Sequence, residues 1–394
     1  MSHRKNIALL AAAQALLLTN GIMLVSINGL LGLQLAADKR LATLPITTYV
    51  IGAALATLPA AFFMKRHGRR AGFMLGAGLG MLGALIAALA VSIGSFWLLC
   101  LGTVFAGVYN AFGQQYRFAA ADAAPLDWKG KAISLTLTGG ILGGVIGPEV
   151  GKLTRTLLEP TYLASYGALI GFAALSMLIA SRLDIPPLSV AEQKAVGRPL
   201  RRIARQPAFV VAVLAAACGY GVMNLLMTAT PLAMDICGLP FADTAFILQW
   251  HVIAMFAPSF FTGGLIKRFG VLKILVTGAG LMFVCIGIAL SGVTLMHFWW
   301  ALVLLGVGWN FLFIGGTTLL TETYRPEEKA KVQGTNDFIV LGVQGLTSLS
   351  SGVLVTSEGW ASLNALALPI VAMTALATTL LWWHRRSSRS GETP

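Results

Sequence analysis

Two stripes of polar side chains run through apolar segments of the sequence and carry groups that could bind a ligand or move a proton. Members of each stripe recur at intervals of three, four or seven residues, which places them on one helical face. They are Thr103, Asn110, Gln114 and Arg117 in the first stripe, and Asp337, Gln344 and Ser348 in the second. Polar groups at such positions are costly and commonly mark a substrate or ion pathway.

Among the members of these stripes, Arg117 has the strongest need for a partner of opposite charge. An unpaired arginine in hydrocarbon costs about 3 kcal/mol or more, so we expect a carboxylate partner, either Asp122 or Asp337. Two roles remain open for the guanidinium. It could bind an anionic substrate or tune a carboxylate, or it could form a structural ion pair near a gate.

Further polar and aromatic side chains inside apolar segments complete the set of candidates. The substrate-binding candidates are Asn110, Gln114, Arg117, Tyr220, Asn224, Trp250, His251, Trp309, Asn310 and Gln344. The coupling candidates are Glu149, Asp337 and His251, and an imidazole titrates near neutral pH. The alternatives are a structural histidine, aromatic side chains anchored at a membrane interface, and packing hydrogen bonds for the asparagines.

Enzymatic chemistry is not indicated by the sequence. It contains neither His-Glu-x-x-His nor Gly-x-Ser-x-Gly, and no Walker motif. The four cysteines lack a Cys-x-x-Cys spacing, which predicts neither a zinc site nor a disulfide framework. We therefore expect no metal, no cofactor and no catalytic residues, and a membrane-embedded enzyme is the alternative from a different class.

The composition points to a membrane protein. Of the 394 residues, 57% are hydrophobic and 11% are charged, whereas soluble domains have about 25% charged residues. Twelve apolar runs are long enough to cross a bilayer as helices. They cover residues 7–36, 44–64, 71–94, 95–119, 132–154, 161–182, 207–234, 242–266, 271–293, 296–322, 332–356 and 360–383, and we number them as spans one to twelve.

The basic residues predict the orientation of these spans. If the N-terminus is cytoplasmic, the inner loops and tails hold 23 of the 28 lysines and arginines, and the outer loops hold four. This distribution places both termini in the cytoplasm. The net charge of +13 is therefore an orientation signal, and no motif for a nucleic-acid partner accompanies it.

The two halves of the chain repeat each other. Residues 1–182 and 207–394 each contain six spans, and the basic, proline-containing segment 183–206 reads as a cytoplasmic linker. Span two is followed by Lys65-Arg66-His67-Gly68, and span eight is followed by the similar sequence Lys267-Arg268-Phe269-Gly270. In the same way, Asp122 follows span four and Glu322 follows span ten. Parallel repeats of this kind are typical of carriers that bind substrate between two halves.

The loop after span two resembles the cytoplasmic motif of the major facilitator superfamily. Arg66, Gly68, Arg69 and Arg70 match that motif, whereas Lys65 stands where the family usually has aspartate. The resemblance implies an all-α integral membrane protein with twelve transmembrane helices in two pseudo-symmetric six-helix bundles. Gate or motif roles are then expected for Arg66, Gly68, Arg69, Arg70, Asp122, Gly143, Gly147, Pro148, Gly151, Arg268, Gly270 and Glu322.

Span five contains Gly143, Gly147, Pro148 and Gly151, which also resemble a superfamily motif found in many proton-linked exporters. Small residues on one helical face let a neighbouring helix approach closely, and Pro148 removes one backbone hydrogen bond and permits a bend. Glu149 beside them is either a coupling carboxylate or an outward-facing interface residue. Close packing without motion is the alternative for the glycines.

These observations predict a secondary transporter that moves a small organic solute across the inner (plasma) membrane by alternating access. The span-five motif favours proton-coupled export by antiport. The alternative is uptake, by symport or facilitated diffusion, of a metabolite or vitamin-like compound, which Arg117 and the aromatic residues would fit. The expected partners are the substrate, the lipid bilayer and protons, and the expected state is a monomer. We also expect Asp122 to pair with Lys129, and Glu322 with Lys329, on the cytoplasmic side.

Overall fold

The computed structural model describes residues 3–38, 41, 44–186 and 197–390, and every regular element in these ranges is a helix. Hydrocarbon cannot hydrogen-bond the backbone, so apolar spanning segments must satisfy their peptide groups internally, as helices do. In the first half the helices are His3–Leu35, Leu44–Ile93, Phe96–Gly113, Tyr116–Ala123, Lys129–Leu137, Gly139–Thr154 and Leu163–Ser181.

The second half begins with a short helix and continues with the longer apolar ones. These helices are Leu200–Ala204, Pro207–Ile236, Phe241–Phe256, Ser259–Phe269, Val271–Ser291, Leu295–Leu320, Lys329–Ser357 and Gly359–Ser390. Short 3₁₀ turns at Leu126–Trp128 and Pro326–Glu328 precede spans five and eleven. The predicted all-helical membrane fold is confirmed.

Spans two and three lie in one stretch, Leu44–Ile93, which consists of two helices, so the eleven apolar stretches long enough to cross a membrane among the described residues correspond to the twelve predicted spans. Gly68 divides this stretch because its backbone is not helical, with φ 85° and ψ 163°. Gly270 ends span eight with φ 88° and ψ 149°. A positive φ favours glycine at both positions, and the two matching turns support the internal repeat.

Three other spans are interrupted by turns, and span five is divided at Thr138 between its two helices. Span four has a turn at Gln114 and Gln115 between its two helices. Span eight has a turn at Ala257 and Pro258, and proline lacks the backbone donor that a continuous helix needs. The turn in span four lies within the first polar stripe, between Asn110 and Arg117.

The chain packs as two compact units that exchange short segments along the sequence. The first contains residues 1–125, 135–197 and 325–341, and the second contains residues 126–134, 198–324 and 342–394. The start of span eleven therefore belongs to the first unit, and the segment before span five belongs to the second. The division of the chain at linker 183–206 stays a prediction, and residues 187–196 of that linker lie outside the described residues.

Spans one, three, four and six supply the hydrophobic core of the first unit. Its fully buried members include Met23, Ala90, Leu99 and Tyr166. The hydroxyl of Tyr166 donates to Asn28 Oδ1 at 2.7 Å inside this core. This packing holds span four in place, and span four carries the first polar stripe.

Candidate functional site

The first stripe forms a hydrogen-bonded chain along span four. Gln114 Nε2 donates to Asn110 Oδ1 at 3.3 Å, and Arg117 Nη1 donates to the backbone oxygen of Gln114 at 2.8 Å and to its Oε1 at 2.9 Å. Asn110 and Gln114 are half-buried, whereas Arg117 is 2% exposed. The stripe therefore leads from partly accessible amides to a buried cation.

Arg117 forms a buried ion pair with Asp337 of span eleven, through Nη2 and Oδ1. Two more donors reach the same carboxylate: Gln115 Nε2 lies 2.8 Å from Oδ2, and Asn336 Nδ2 lies 3.0 Å from Oδ1. Asp337 is 1% exposed. Of the two partners that the sequence left open for Arg117, the structure selects Asp337.

A second ionic group lies next to this pair in the same unit. Arg69 Nη2 and Lys329 Nζ contact the two carboxylate oxygens of Asp122 at 3.0 and 2.8 Å. Arg69 also donates to Gln115 Oε1 at 2.9 Å and to Gln333 Oε1 at 2.7 Å. We call Arg69, Arg117, Asp122, Lys329 and Asp337 the charge cluster, and Gln115 joins its two parts.

The expected pairing of Asp122 with Lys129, and of Glu322 with Lys329, is wrong. Asp122 binds Lys329 instead, because the start of span eleven packs in the first unit with span four. Glu322 accepts from Arg385 of the last helix at 3.0 Å. Lys329 is therefore a member of the charge cluster, and Lys129 belongs to the second unit.

The remaining loop-motif residues lie at the surface. Arg66 and Arg70 are exposed beside the Gly68 turn, and Arg268 lies over the ring of Phe269, 5.1 Å from its centroid. Lys267, where the family motif usually has aspartate, forms an ion pair with Asp127 at 2.8 Å. Both partners are more than half exposed, and exposed ion pairs contribute little to stability.

In the second unit, Asn310 uses its side-chain amide to join spans eight and ten. Its Nδ2 donates to the Met255 oxygen at 2.7 Å and to Ser259 Oγ at 2.6 Å, and its Oδ1 accepts from Thr262 at 2.7 Å. The side chain is fully buried. This geometry favours packing hydrogen bonds over substrate contact for Asn310.

His251 and Asn224 are also engaged by neighbouring helices. The Nδ1 of His251 lies 2.7 Å from the Leu302 backbone oxygen, and the imidazole is fully buried. Asn224 Nδ2 donates to the backbone oxygen of Gln344 at 3.1 Å and to Thr347 Oγ1 at 3.3 Å. Gln344 itself is half-buried beside this contact.

Aromatic rings from spans seven, eight and ten meet around Trp309. Its ring stacks on Phe313 with centroids 5.1 Å apart, and Tyr220 and Phe256 contact it edge-on at 5.3 and 5.5 Å. Trp309 is 1% exposed, and its Nε1 has no hydrogen-bond acceptor among the described residues. The same holds for the buried hydroxyl of Thr317, two helical turns further along.

Trp309, Phe313 and Thr317 occur every four residues and share one side of span ten, which we call the aromatic face. The glycines of span ten show which neighbouring helix lies on each side of the aromatic face. A Cβ added at Gly308 would contact Met282 of span nine, and a Cβ added at Gly316 would contact Ala212 of span seven. Span eight approaches at Gly306 and Asn310. The aromatic face therefore lies between spans seven and eight, away from span nine.

Three predicted residues lie elsewhere. Trp250 is 40% exposed and contacts Trp299 edge-on, with centroids 5.8 Å apart, which suits an interface aromatic. Glu149 and Pro148 are exposed, and no partner for Glu149 occurs among the described residues. The geometry favours an outward-facing position for all three.

The glycines of span five pack against span one. A Cβ at Gly143 would lie 2.6 Å from Leu18 Cβ, and one at Gly147 would lie 3.1 Å from the Thr19 backbone oxygen. At Gly151 the nearest atom would be Cγ of Met23, at 3.5 Å. Close approach of spans one and five is thus the structural basis of this motif. The distance between the two helices is larger at Gly151 than at Gly143.

Sequence reasoning missed Gln115, Gln333, Asn336, Phe313 and Thr317. Gln115 was detectable, because it follows Gln114 within an apolar run. Phe313 and Thr317 extend the spacing that Trp309 begins, but apolar surroundings hide a phenylalanine and a threonine. The role of Gln333 depends on a contact with Arg69 that lies 264 residues away in sequence.

Comparisons with known proteins agree with this architecture. The family model of the Major Facilitator Superfamily matches residues 9–341 and 252–394. The chain is 44% identical to the riboflavin transporter RfnT of Brucella anthropi over 94% of each chain. It is 30% identical to YddS of Bacillus subtilis, an uncharacterized transporter of the superfamily type, over 92% of this chain and 87% of that one.

Solved structures share the fold at low sequence identity. The fucose transporter FucP in an outward conformation has a TM-score of 0.77 at 17% identity, covering 95% of this chain and 98% of that chain. The human organic anion transporter TETRAN has a TM-score of 0.79 at 12% identity, covering 96% and 100%.

Apolar spanning helices, an internal repeat and charged side chains buried within the spans define a membrane transporter for a small molecule. With the family model matching nearly the whole chain, the protein belongs to the major facilitator superfamily. The family that the loop motif indicated is confirmed. The superfamily consists of transporters.

Proposed function

We propose that this chain carries riboflavin, or a flavin close to it, into the cell by alternating access. The observation that carries the proposal is the 44% identity to a riboflavin transporter along 94% of both chains. The proposal adopts the vitamin-like alternative from the sequence rather than proton-coupled export.

The aromatic face suits such a substrate. The riboflavin ring system is planar and carries carbonyl and ring-nitrogen acceptors, and its side chain is a neutral polyol. Aromatic side chains stack on planar rings, and the unbonded Nε1 of Trp309 and Oγ1 of Thr317 are donors. We assign ring binding to Trp309 and Phe313, together with Tyr220 of span seven.

Binding at this face requires neighbouring helices to move, because Trp309 is buried in the described conformation. Alternating access exposes a central site to each side of the membrane in turn, and opening of the aromatic face also requires span seven or span eight to move away from span ten within the second unit. A buried donor without an acceptor is unfavourable by about 1–3 kcal/mol. Substrate binding would remove that cost, which favours the substrate-bound state.

We propose that the charge cluster stabilises the contact between spans four and eleven. In this proposal it does not carry a transported proton. Its five members comprise three cations and two carboxylates, with Asp337 as the direct partner of Arg117. Adding a proton to Asp337 would remove the counter-charge of a buried arginine, which is strongly unfavourable. Asp337 therefore acts as a structural partner in this proposal.

The orientation inferred from the basic residues is part of the proposal. Both termini, and the loops that carry 23 of the 28 lysines and arginines, lie in the cytoplasm. The protein would function as a monomer in the plasma membrane.

The test is uptake of radiolabelled riboflavin by proteoliposomes that contain a pH-sensitive dye. We expect saturable uptake that excess unlabelled riboflavin abolishes, and empty liposomes serve as the control. Competition by lumichrome, which has the ring without the polyol, would support ring recognition. Absence of saturable uptake would overturn the proposed substrate. Riboflavin-driven proton flux that is lost in Asp337→Asn while the folded variant still takes up riboflavin would overturn the structural role of Asp337.

A further inference from the structure

A short basic helix directly precedes span seven. Leu200–Ala204 forms this helix, and Pro207 is the first residue of the span. The side chains of Arg201, Arg202 and Arg205 are exposed, whereas Ile203 is fully buried. We call these three side chains the arginine patch.

Hydrogen bonds anchor the segment on both sides of the patch. Arg198 Nη2 and Gln206 Nε2 each donate to the backbone oxygen of Thr323 at 3.0 Å. Together with the buried Ile203, these contacts fix the helix next to the end of span ten. The three guanidinium groups are thereby held where span seven enters the bilayer.

The patch lacks ionic partners within the described part of the chain. Four other basic residues near the ends of spans have them: Arg69 and Lys329 bind Asp122, Lys267 binds Asp127, and Arg385 binds Glu322. The three arginines and Pro199 instead line one open surface cavity of about 560 Å³. Like charges one turn apart on a helix are destabilising, so an anion in this cavity would relieve their repulsion.

We propose that the arginine patch binds the phosphate headgroup of an anionic phospholipid. Guanidinium groups hold phosphate oxygens in a bidentate manner and are more weakly hydrated than lysine. Basic clusters beside a membrane span attract anionic lipids, and the attraction falls off within a Debye length of the surface. The adjacent start of span seven places the acyl chains of such a lipid in the bilayer.

Native mass spectrometry of the detergent-purified protein tests this site. The wild-type protein would be titrated with phosphatidylglycerol, and separately with phosphatidylcholine of the same chain length as the zwitterionic control. The test variant is Arg201→Gln, Arg202→Gln and Arg205→Gln combined. The matched control combines Lys152→Gln, Arg155→Gln and Lys273→Gln, which removes three exposed basic charges elsewhere.

We expect wild type and the matched control to retain phosphatidylglycerol preferentially. The patch variant should lose at least about tenfold in affinity, since each basic residue near an anionic surface contributes about fivefold. Equal binding by the patch variant and the matched control would overturn the proposal. Complete displacement of phosphatidylglycerol by millimolar inorganic phosphate would also overturn it, because the ligand would then be free phosphate.

If the patch variant elutes as an aggregate on size exclusion, Arg201→Lys, Arg202→Lys and Arg205→Lys combined replaces it. This variant keeps the charge but loses bidentate binding. We expect this lysine variant to bind phosphatidylglycerol more weakly than the wild-type protein does. It should still bind phosphatidylglycerol more tightly than it binds phosphatidylcholine. Binding at wild-type strength would contradict a guanidinium site.

Discussion

The carboxylate of Asp337 accepts hydrogen bonds from Arg117, Gln115 and Asn336, and all of these lie within the first unit. A buried ion pair adds little stability compared with an apolar pair of the same shape, but removal of one member leaves the other charge uncompensated. The effect of single substitutions is therefore larger than the net contribution of the pair.

Asp337→Asn should lower the free energy of unfolding by about 3–5 kcal/mol, because Arg117 stays buried without its counter-charge. Thermal unfolding in detergent measures the change. Combining it with Arg117→Gln should recover much of the loss, since no charge then remains unpaired. A double variant as unstable as the sum of the single variants would contradict the pairing.

Trp309→Phe and Thr317→Val, combined, should raise the KM for riboflavin about two- to tenfold per lost hydrogen bond. Neither polar atom has a hydrogen-bond partner among the described residues to lose, but Trp309→Phe shortens a buried ring and should lower thermal stability through lost packing, so KM is compared on the folded fraction of the double variant. The matched control is Thr230→Val, since the hydroxyl of Thr230 bonds to the Leu226 backbone oxygen at 2.7 Å within its own helix. An unchanged KM in the double variant would exclude the aromatic face from binding while leaving riboflavin as the substrate.

At the residue scale the sequence could predict which side chains are polar within apolar spans, but not their partners. Arg117 needed a carboxylate, and charge arguments left Asp122 and Asp337 open. The choice depends on which helix starts lie beside span four. Asp337 follows Arg117 by 220 residues, so no local pattern could specify the pair.

At the scale of helices, span five depends on close contact with span one. Gly143 lies where an added methyl group would come within 2.6 Å of Leu18 Cβ and 2.9 Å of the Thr19 backbone nitrogen. Backbone atoms cannot move aside without shifting the helix. Gly151 has more space, with Cγ of Met23 at 3.5 Å.

Gly143→Ala should therefore reduce stability by about 1–3 kcal/mol through overpacking, with a matching drop in the unfolding temperature. Gly151→Ala is the control and should change it little, since 3.5 Å is an ordinary contact distance. Equal effects of the two substitutions would show that span five does not depend on this contact.

The apolar runs predicted the helices well, because hydrocarbon leaves the backbone few alternatives. The breaks were less visible. Pro258 gives a chemical reason for the turn in span eight, but the Gln114–Gln115 turn in span four depends on the polar contacts around it. Hydropathy treated spans two and three as separate, and the non-helical backbone at Gly68 does divide them.

At the scale of the whole molecule, the four cysteines test the proposed orientation. Cys237 is exposed at the end of span seven, which the positive-inside pattern places outside the cell. Cys100, Cys218 and Cys285 are buried. A membrane-impermeant maleimide applied to intact cells should therefore modify Cys237 alone, and Cys237→Ser should abolish labelling. Labelling that requires cell lysis would reverse the orientation.

The segment exchange between the two units has a consequence for synthesis of the protein. Arg117 leaves the ribosome 220 residues before Asp337, an interval of roughly 11–44 s at ordinary rates of translation. During that time the nascent first half contains a cation in an apolar span without its final counter-ion. Water or the insertion machinery must shield it until span eleven emerges, so the N-terminal half cannot complete its folding before most of the C-terminal half has been translated.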